Sequence, residues 1–263
     1  MSLRALGKFD EAIDIINKAI VIDEDFKESY TNLGNIFTVQ KKFTEALDNF
    51  TQVVDIDPED KVAHFNLANC YSDMNRDLDA LNHFTEAIKL DKNYCDAFYN
   101  MGVSLVKLEK NLEACESFNR AIALNPNFKE AYFNLGITLN SLGKYKEACS
   151  YFDLAVKLDQ NYITAIFNWG ISLGLQNQFQ AAIDKYRRII VLDPYFKNAY
   201  NNLGLCQYKL KLYPQAYATF KKAIELDPYY PEAINNLQIC VNKMLNPLIS
   251  NVDPNLTNKL LVK

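Results

Sequence analysis

The stretch KEAYFNLGITLNSLGKYKEACSYFDLAVKLDQNY, residues 129–162, carries two apolar stripes at helical spacing. Tyr132, Leu135, Gly136 and Leu139 form the first, and Ala148, Phe152 and Ala155 the second. Asn140–Lys144 (NSLGK) reads as a turn between them, with Gly143 suited to a helix C-terminus. The stretch therefore predicts two helices, joined tightly and packed along their stripes.

The same pattern fills most of the chain. Six blocks of 34 residues cover 27–230 without insertion or deletion, starting at Lys27, Lys61, Cys95, Lys129, Ile163 and Lys197. A fixed period of this size marks stacked supersecondary units. Asp57-Pro58, Asn125-Pro126, Asp193-Pro194 and Asp227-Pro228 close their blocks, because proline stops the second helix from running on. Gly34, Gly102, Gly136, Gly170 and Gly204 share one phase, with Ala68 in the remaining block. Glycine inside a helix costs about 1 kcal/mol relative to alanine. Its recurrence predicts that the two helices approach closely, opposite Ala46, Ala80, Ala114, Ala148, Ala182 and Ala216.

The bulk numbers exclude several classes. With 263 residues, 49% of them hydrophobic and 23% charged, the composition is that of a globular protein with a sizeable core. The net charge of −4 gives no counterion-release drive toward a phosphate backbone, so no nucleic-acid partner is expected. No apolar run reaches membrane-spanning length, and the start has no unbroken apolar segment of the secretory kind. The reading places the protein in the cytoplasm, with the nucleus also open. The six cysteines contain no C-x-x-C, and five of them follow the period: Cys115 with Cys149, and Cys70 with Cys206 and Cys240. That is how small core residues behave, so reduced structural thiols are expected, with no metal and no cofactor.

Paired helices, the 34-residue period, N-L-G, alanine, Phe/Tyr, alanine and D-P resemble the tetratricopeptide repeat (TPR) over about residues 7–245. The resemblance implies an all-α TPR α-solenoid, a right-handed superhelix of antiparallel helix pairs, with first helices lining the concave side. Val53 and Ile189 depart from the pattern at the later alanine, and Ile16 at the aromatic. The domain reading is a truncated first repeat over 1–26 (mainly its second helix), six repeats over 27–230, a capping helix over 231–245 and a tail over 246–263. The seventh copy has Gln238 in place of glycine, where no second helix follows. The missing half-repeat leads us to expect a fragment of something longer.

One polar residue never changes. Asn32, Asn66, Asn100, Asn134, Asn168 and Asn202 share a phase, and Asn236 continues it. At 100° per residue Asn134 lies about 200° from Tyr132, away from the partner helix. Asn35 and Asn69 share the face, and Phe65, Tyr99, Phe133 and Phe167 flank it. A carboxamide offers two donors and an acceptor, so a row of them suits a peptide main chain of any sequence. With helices roughly 8–10 Å apart and an extended chain rising about 3.3 Å per residue, one amide meets about every third peptide residue. These residues are the candidate peptide-binding site. The row resembles the asparagine ladder in the TPR region of O-GlcNAc transferase.

The function read from these residues is a non-catalytic scaffold that binds an extended peptide or partner protein in its concave groove. The alternatives are the substrate-recognition arm of a larger enzyme such as an O-GlcNAc transferase, a co-chaperone module, or a targeting-signal receptor. A co-chaperone groove needs cations for an acidic tail, and this face carries Glu28, Asp96 and Glu130 instead. No catalytic residues are assigned. His64 reads as a core residue, His83 as lying on the back of a second helix, and Trp169 as core filling. Leu3, Leu6 and the flank of Ile13–Ile20 offer an edge for self-association, and the tail ending NKLLVK offers an occupant for a groove.

Overall fold

A computed structural model describes residues 8–249, with side chains to 245. Those residues are all-α, and no strand occurs among them. A lone helix, α1 (Phe9–Ile22), precedes the pairs α2 (Lys27–Val39) and α3 (Phe43–Ile56), α4 (Lys61–Asp73) and α5 (Asp77–Leu90), and α6 (Cys95–Lys107) and α7 (Asn111–Leu124). Then come α8 (Lys129–Ser141) and α9 (Tyr145–Leu158), α10 (Ile163–Leu175) and α11 (Phe179–Leu192), α12 (Lys197–Lys209) and α13 (Tyr213–Leu226), and lastly α14 (Pro231–Ile249). The chain divides into two compact units, Met1–Thr138 and Leu139–Lys263.

Each turn within a pair is built alike. The amides of Lys42, Arg76 and Lys110 in the first unit, and of Lys144, Gln178 and Leu212 in the second, each donate to the carbonyl five residues earlier, at 2.8–2.9 Å. This is the six-to-one bond of a Schellman stop. The preceding residue is left-handed: Gly143 takes φ 73° without a Cβ penalty, whereas Lys41, Asn75, Glu109, Asn177 and Lys211 take φ near 60°. The turn between repeats is an Asx turn. The carboxylates of Asp57, Asp91, Asp159, Asp193 and Asp227 accept from the amide two residues on. Asp57, Asp91 and Asp227 also pair with the lysine that opens the same repeat: Lys27, Lys61 and Lys197. Cys95 takes the lysine's place in the third repeat and donates its thiol to the Ala121 carbonyl instead.

The small phase meets an aromatic ring. A Cβ built on Gly34 would lie 2.6 Å from the Phe50 ring, on Gly102 2.7 Å from Phe118, on Gly170 2.7 Å from Tyr186, and on Gly204 2.6 Å from Phe220. The alanines opposite are fully buried, as the spacing implied, but the glycine makes room for the ring four residues further along that helix. Phe50, Phe84, Phe118, Phe152 and Phe220 are buried in their own units, and each such burial contributes roughly 1.5–3 kcal/mol. Ala68 faces Phe84 in one cluster, so one repeat accommodates the extra methyl.

Three observations differ from the sequence reading. Helix α14 runs to Ile249, past the expected boundary at Leu245; Pro247 removes one donor in the last turn, and no glycine stop precedes it. Trp169 is half-buried, with the Lys185 ammonium 3.4 Å from its ring centroid, so it serves a cation–π contact rather than filling core. His64 and His83 meet, with their Nδ1 atoms 3.1 Å apart and rings stacked at 5.4 Å, and Tyr71 stacks on His83 at 5.5 Å. Helix α1 has no buried residue, and Ile15, Val21 and Ile22 are exposed. Leu3, Leu6 and the NKLLVK tail lie outside the described residues.

Two predictions follow from this packing. Gly102→Ala lowers stability by about 1–3 kcal/mol through overpacking, while Gly174→Ala, whose Cβ meets nothing within 4 Å, raises it by up to about 1 kcal/mol. Urea melts of both variants check this, and equal gains would contradict the close glycine–ring contact. Burial, then the charge of His64, holds the His83 pKa below 6.5. A depressed folded pKa contributes stability above the unfolded value that is lost as pH falls through the folded one. The melting temperature therefore drops as pH falls below about 6.5, and His83→Gln blunts that part of the drop.

Candidate functional site

The six asparagines of the row sit on the first helices α2, α4, α6, α8, α10 and α12. Asn32 is exposed and the other five are half-buried. In the first unit the face contains a cavity of about 400 Å³ lined by Thr38, Asn69, Ser72, Asp73, Asn100, Val103 and Lys107, with Phe84 behind them. It draws on three successive first helices and brings the candidates Asn69 and Asn100 together. Asn35 lines a second cavity of about 440 Å³ with Phe9, Thr38 and Val39.

The amide nitrogens of Asn100, Asn134, Asn168 and Asn202 are turned toward the protein. Asn100 Nδ2 donates to Asn69 Oδ1 at 2.9 Å, and Asn134 Nδ2 donates to the Tyr99 hydroxyl at 2.8 Å. In the second unit Asn168 Nδ2 donates to its own helix at the Thr164 carbonyl, 2.8 Å away, and Asn202 Nδ2 to the Tyr186 hydroxyl at 3.5 Å. Asn236 Nδ2 donates to Asn201 Oδ1 at 2.9 Å. The partner depends on the residue 35 positions earlier: Tyr99 and Asn201 accept, whereas Phe65, Phe133 and Phe167 have nothing to accept with, so the amide turns elsewhere. The wheel turns these side chains away from their own partner helix and does not place the bonds that several make to the preceding repeat. The side-chain Oδ1 atoms of Asn100, Asn134 and Asn168 accept no hydrogen bond among the described residues, although the main-chain carbonyls of Asn134 and Asn168 accept from Thr138 and Ser172. What Asn100, Asn134 and Asn168 present is acceptors, whereas Asn202 Oδ1 accepts from Asn201 Nδ2 at 3.3 Å.

The aromatic flank is also more structural than its spacing implied. Phe65 packs on Phe84 and Tyr94 at centroid distances of 6.0 and 5.0 Å, and Tyr99 on Phe118 and Phe128 at 5.9 and 4.5 Å. Phe167 packs on Tyr186 and Phe196 at 5.9 and 5.3 Å. Each ring bridges the second helix of its own repeat and the residue opening the next first helix. Phe133 is likewise half-buried.

A polar ladder beneath the face escaped the sequence reading. Ser104 Oγ donates to Ser72 Oγ at 3.2 Å, and Ser172 Oγ to Asn140 Oδ1 at 2.9 Å. Thr38 Oγ1 lies 3.8 Å from Cys70 Sγ. Cys70, Ser104, Thr138, Ser172, Cys206 and Cys240 share one phase, and that run of small polar residues was the available signal. In the first unit the ladder extends to a charge pair. Lys107 Nζ donates to Ser72 Oγ at 2.9 Å and lies 3.5 Å from Asp77 Oδ1, which accepts from Ser72 at 2.9 Å. Burial pushes the Cys206 thiol up to about 11, so it stays protonated at neutral pH and behaves as a packing residue. No group of three metal-ligating side chains occurs among the described residues.

Comparison with known proteins agrees with this architecture. Tetratricopeptide repeat models match residues 28–60, 62–94, 96–128, 117–150 and 198–230, which together exceed half of the chain. The crystal structure of YrrB, described as a TPR protein with an unusual peptide-binding site, is 27% identical with a TM-score of 0.64, covering 71% of this chain and 96% of that one. The C-terminal part of a TPR repeat-containing protein from Cytophaga hutchinsonii superposes with a TM-score of 0.77 at 16% identity, over 89% of this chain and 96% of that one. Pseudomonas aeruginosa pilF gives 0.66 at 19% identity, over 81% and 96%. No curated protein matches the chain. No helix among the described residues is long and apolar enough to cross a membrane. The repeats, their turns and the family matches agree: the chain belongs to the tetratricopeptide repeat family.

Proposed function

We propose that the chain is a non-catalytic scaffold that holds an extended peptide segment of a partner protein along its first-helix faces, in the cytoplasm. The observation that carries this is the row of amide oxygens beside a cavity. The Oδ1 atoms of Asn100, Asn134 and Asn168 have no hydrogen-bond partner among the described residues, and Asn69 and Asn100 line about 400 Å³ of space. A main-chain N–H is the donor that recurs in every peptide, so acceptors at fixed spacing grip a segment with little regard to its side chains. The aromatic rings hold the helices that present those acceptors, and Phe65, Tyr99, Phe133 and Phe167, each half-buried, flank the row. The peptide-binding site of YrrB supports the reading by analogy, as does the resemblance of the row to that in O-GlcNAc transferase. Sites for grip are Asn32, Asn66, Asn100, Asn134, Asn168 and Asn202, with Asn35 and Asn69 beside them. Self-association through the edge at α1 is an added use of the fold.

The test starts by selecting binders from a random peptide library with the intact chain. Fluorescence anisotropy then compares that chain with an Asn100→Ala, Asn134→Ala, Asn168→Ala variant. The variant melts lower, by about 1 kcal/mol for each lost donor bond, yet stays folded at the assay temperature. Its affinity for the selected peptides falls at least about tenfold, or 1.4 kcal/mol. Unchanged affinity would show that the row serves the stack alone.

A further inference from the structure

Resting on that reading, we infer that the groove of the first unit takes a segment bearing Lys or Arg, spaced about every third residue. The net charge of −4 hides a strong asymmetry. Residues 1–138 hold 14 basic and 23 acidic side chains, whereas residues 139–263 hold 14 basic and 9 acidic. The first unit is thus at −9 and the second at +5.

The excess reaches the first-helix faces. Glu28, Asp73 and Asp96 are exposed, and none makes an ion pair among the described residues. Among the described residues Glu130 is paired with Lys129, at 4.0 Å. The one cation lining the cavity, Lys107, is matched by Asp77, whose side chain is 6% exposed. Asp73 is left uncompensated in the same cavity as Asn69 and Asn100. The acceptor carbonyl of Asn100 adds a partial negative charge there. A guanidinium or ammonium brings the donors and positive charge that this wall lacks. The matching positions in the second unit are Thr164, Leu175, Asn198, Lys209, Glu232 and Lys243, which carry no acidic excess. The preference is therefore a property of one unit. Complementary charge of this kind raises association rates and weakens with salt.

The experiment uses the full chain and three labelled peptides of equal length. One carries Arg at every third position among small neutral residues, and the others carry Gln or Glu there. Anisotropy at low salt is expected to rank them Arg, Gln, Glu, with at least about a tenfold gap between the first two that closes as salt rises. A Glu28→Gln, Asp73→Asn, Asp96→Asn variant loses that gap and keeps the binding of the Gln peptide. An Asp48→Asn, Asp55→Asn, Glu116→Gln variant, altered equally in charge on second helices, keeps the gap. Equal binding of the three peptides overturns the inference and leaves the groove reading standing. Equal losses in both charge variants also overturn it, since the attraction would then belong to overall charge. If the free chain sediments as a low-salt oligomer that the Arg peptide merely disperses, the acidic face is covered by a second copy and the inference fails. Failure of all three peptides to bind overturns it too. The groove reading falls with it only if the alanine variant of the row also keeps its selected peptides.

Discussion

The close contact of a glycine with an aromatic ring sets the geometry from which the rest of this structure follows. At Gly34, Gly102, Gly170 and Gly204 there is no room for a Cβ, because a buried ring occupies the space. The ring is held by the fully buried alanine one turn before it, and the pair of helices closes around both. Close packing of this kind tolerates little change in volume. At these four positions the ring follows its glycine at the same offset along the chain, because ring and glycine must meet at the same height within the pair.

Once each pair is closed, its first helix has one stripe committed to the partner helix and another face left over. The asparagine row lies on that face and serves two purposes through two atoms. Its nitrogen bonds the preceding repeat or its own helix, which satisfies a half-buried donor. At Asn100, Asn134 and Asn168 the oxygen is left without a partner among the described residues, and the proposed ligand would use it. The same economy appears at the Asp-Pro turns, where one carboxylate caps the turn and also pairs with a lysine. Residues that recur in a repeat protein do so because both neighbours constrain them.

Helices, turns and the small phase were legible from spacing alone, since each repeats six times and periodicity averages out local noise. Site details were less legible for definite physical reasons. The direction of Asn134 Nδ2 depends on whether position 99 carries a hydroxyl, which is a contact between repeats and invisible to a wheel drawn for one helix. Phe65 and Tyr99 read as a groove flank because their phase adjoins it, but large rings reach back into the seam. The His64–His83 contact joins residues 19 apart on different helices, and no motif marks it. The charge asymmetry was present in the sequence throughout and became meaningful only when the unit boundary was known.

The division of the row into donors that serve the fold and acceptors left for a ligand is open to direct measurement. Solvent exchange of the asparagine side-chain amide protons, resolved by NMR in the free chain, measures this. Slow exchange is expected for Asn100 and Asn134, whose Nδ2 groups are bonded at 2.9 and 2.8 Å, and fast exchange for Asn32, which is exposed. Equal, solvent-limited exchange across the row would contradict it, because the amides would then be free to offer either end to a partner.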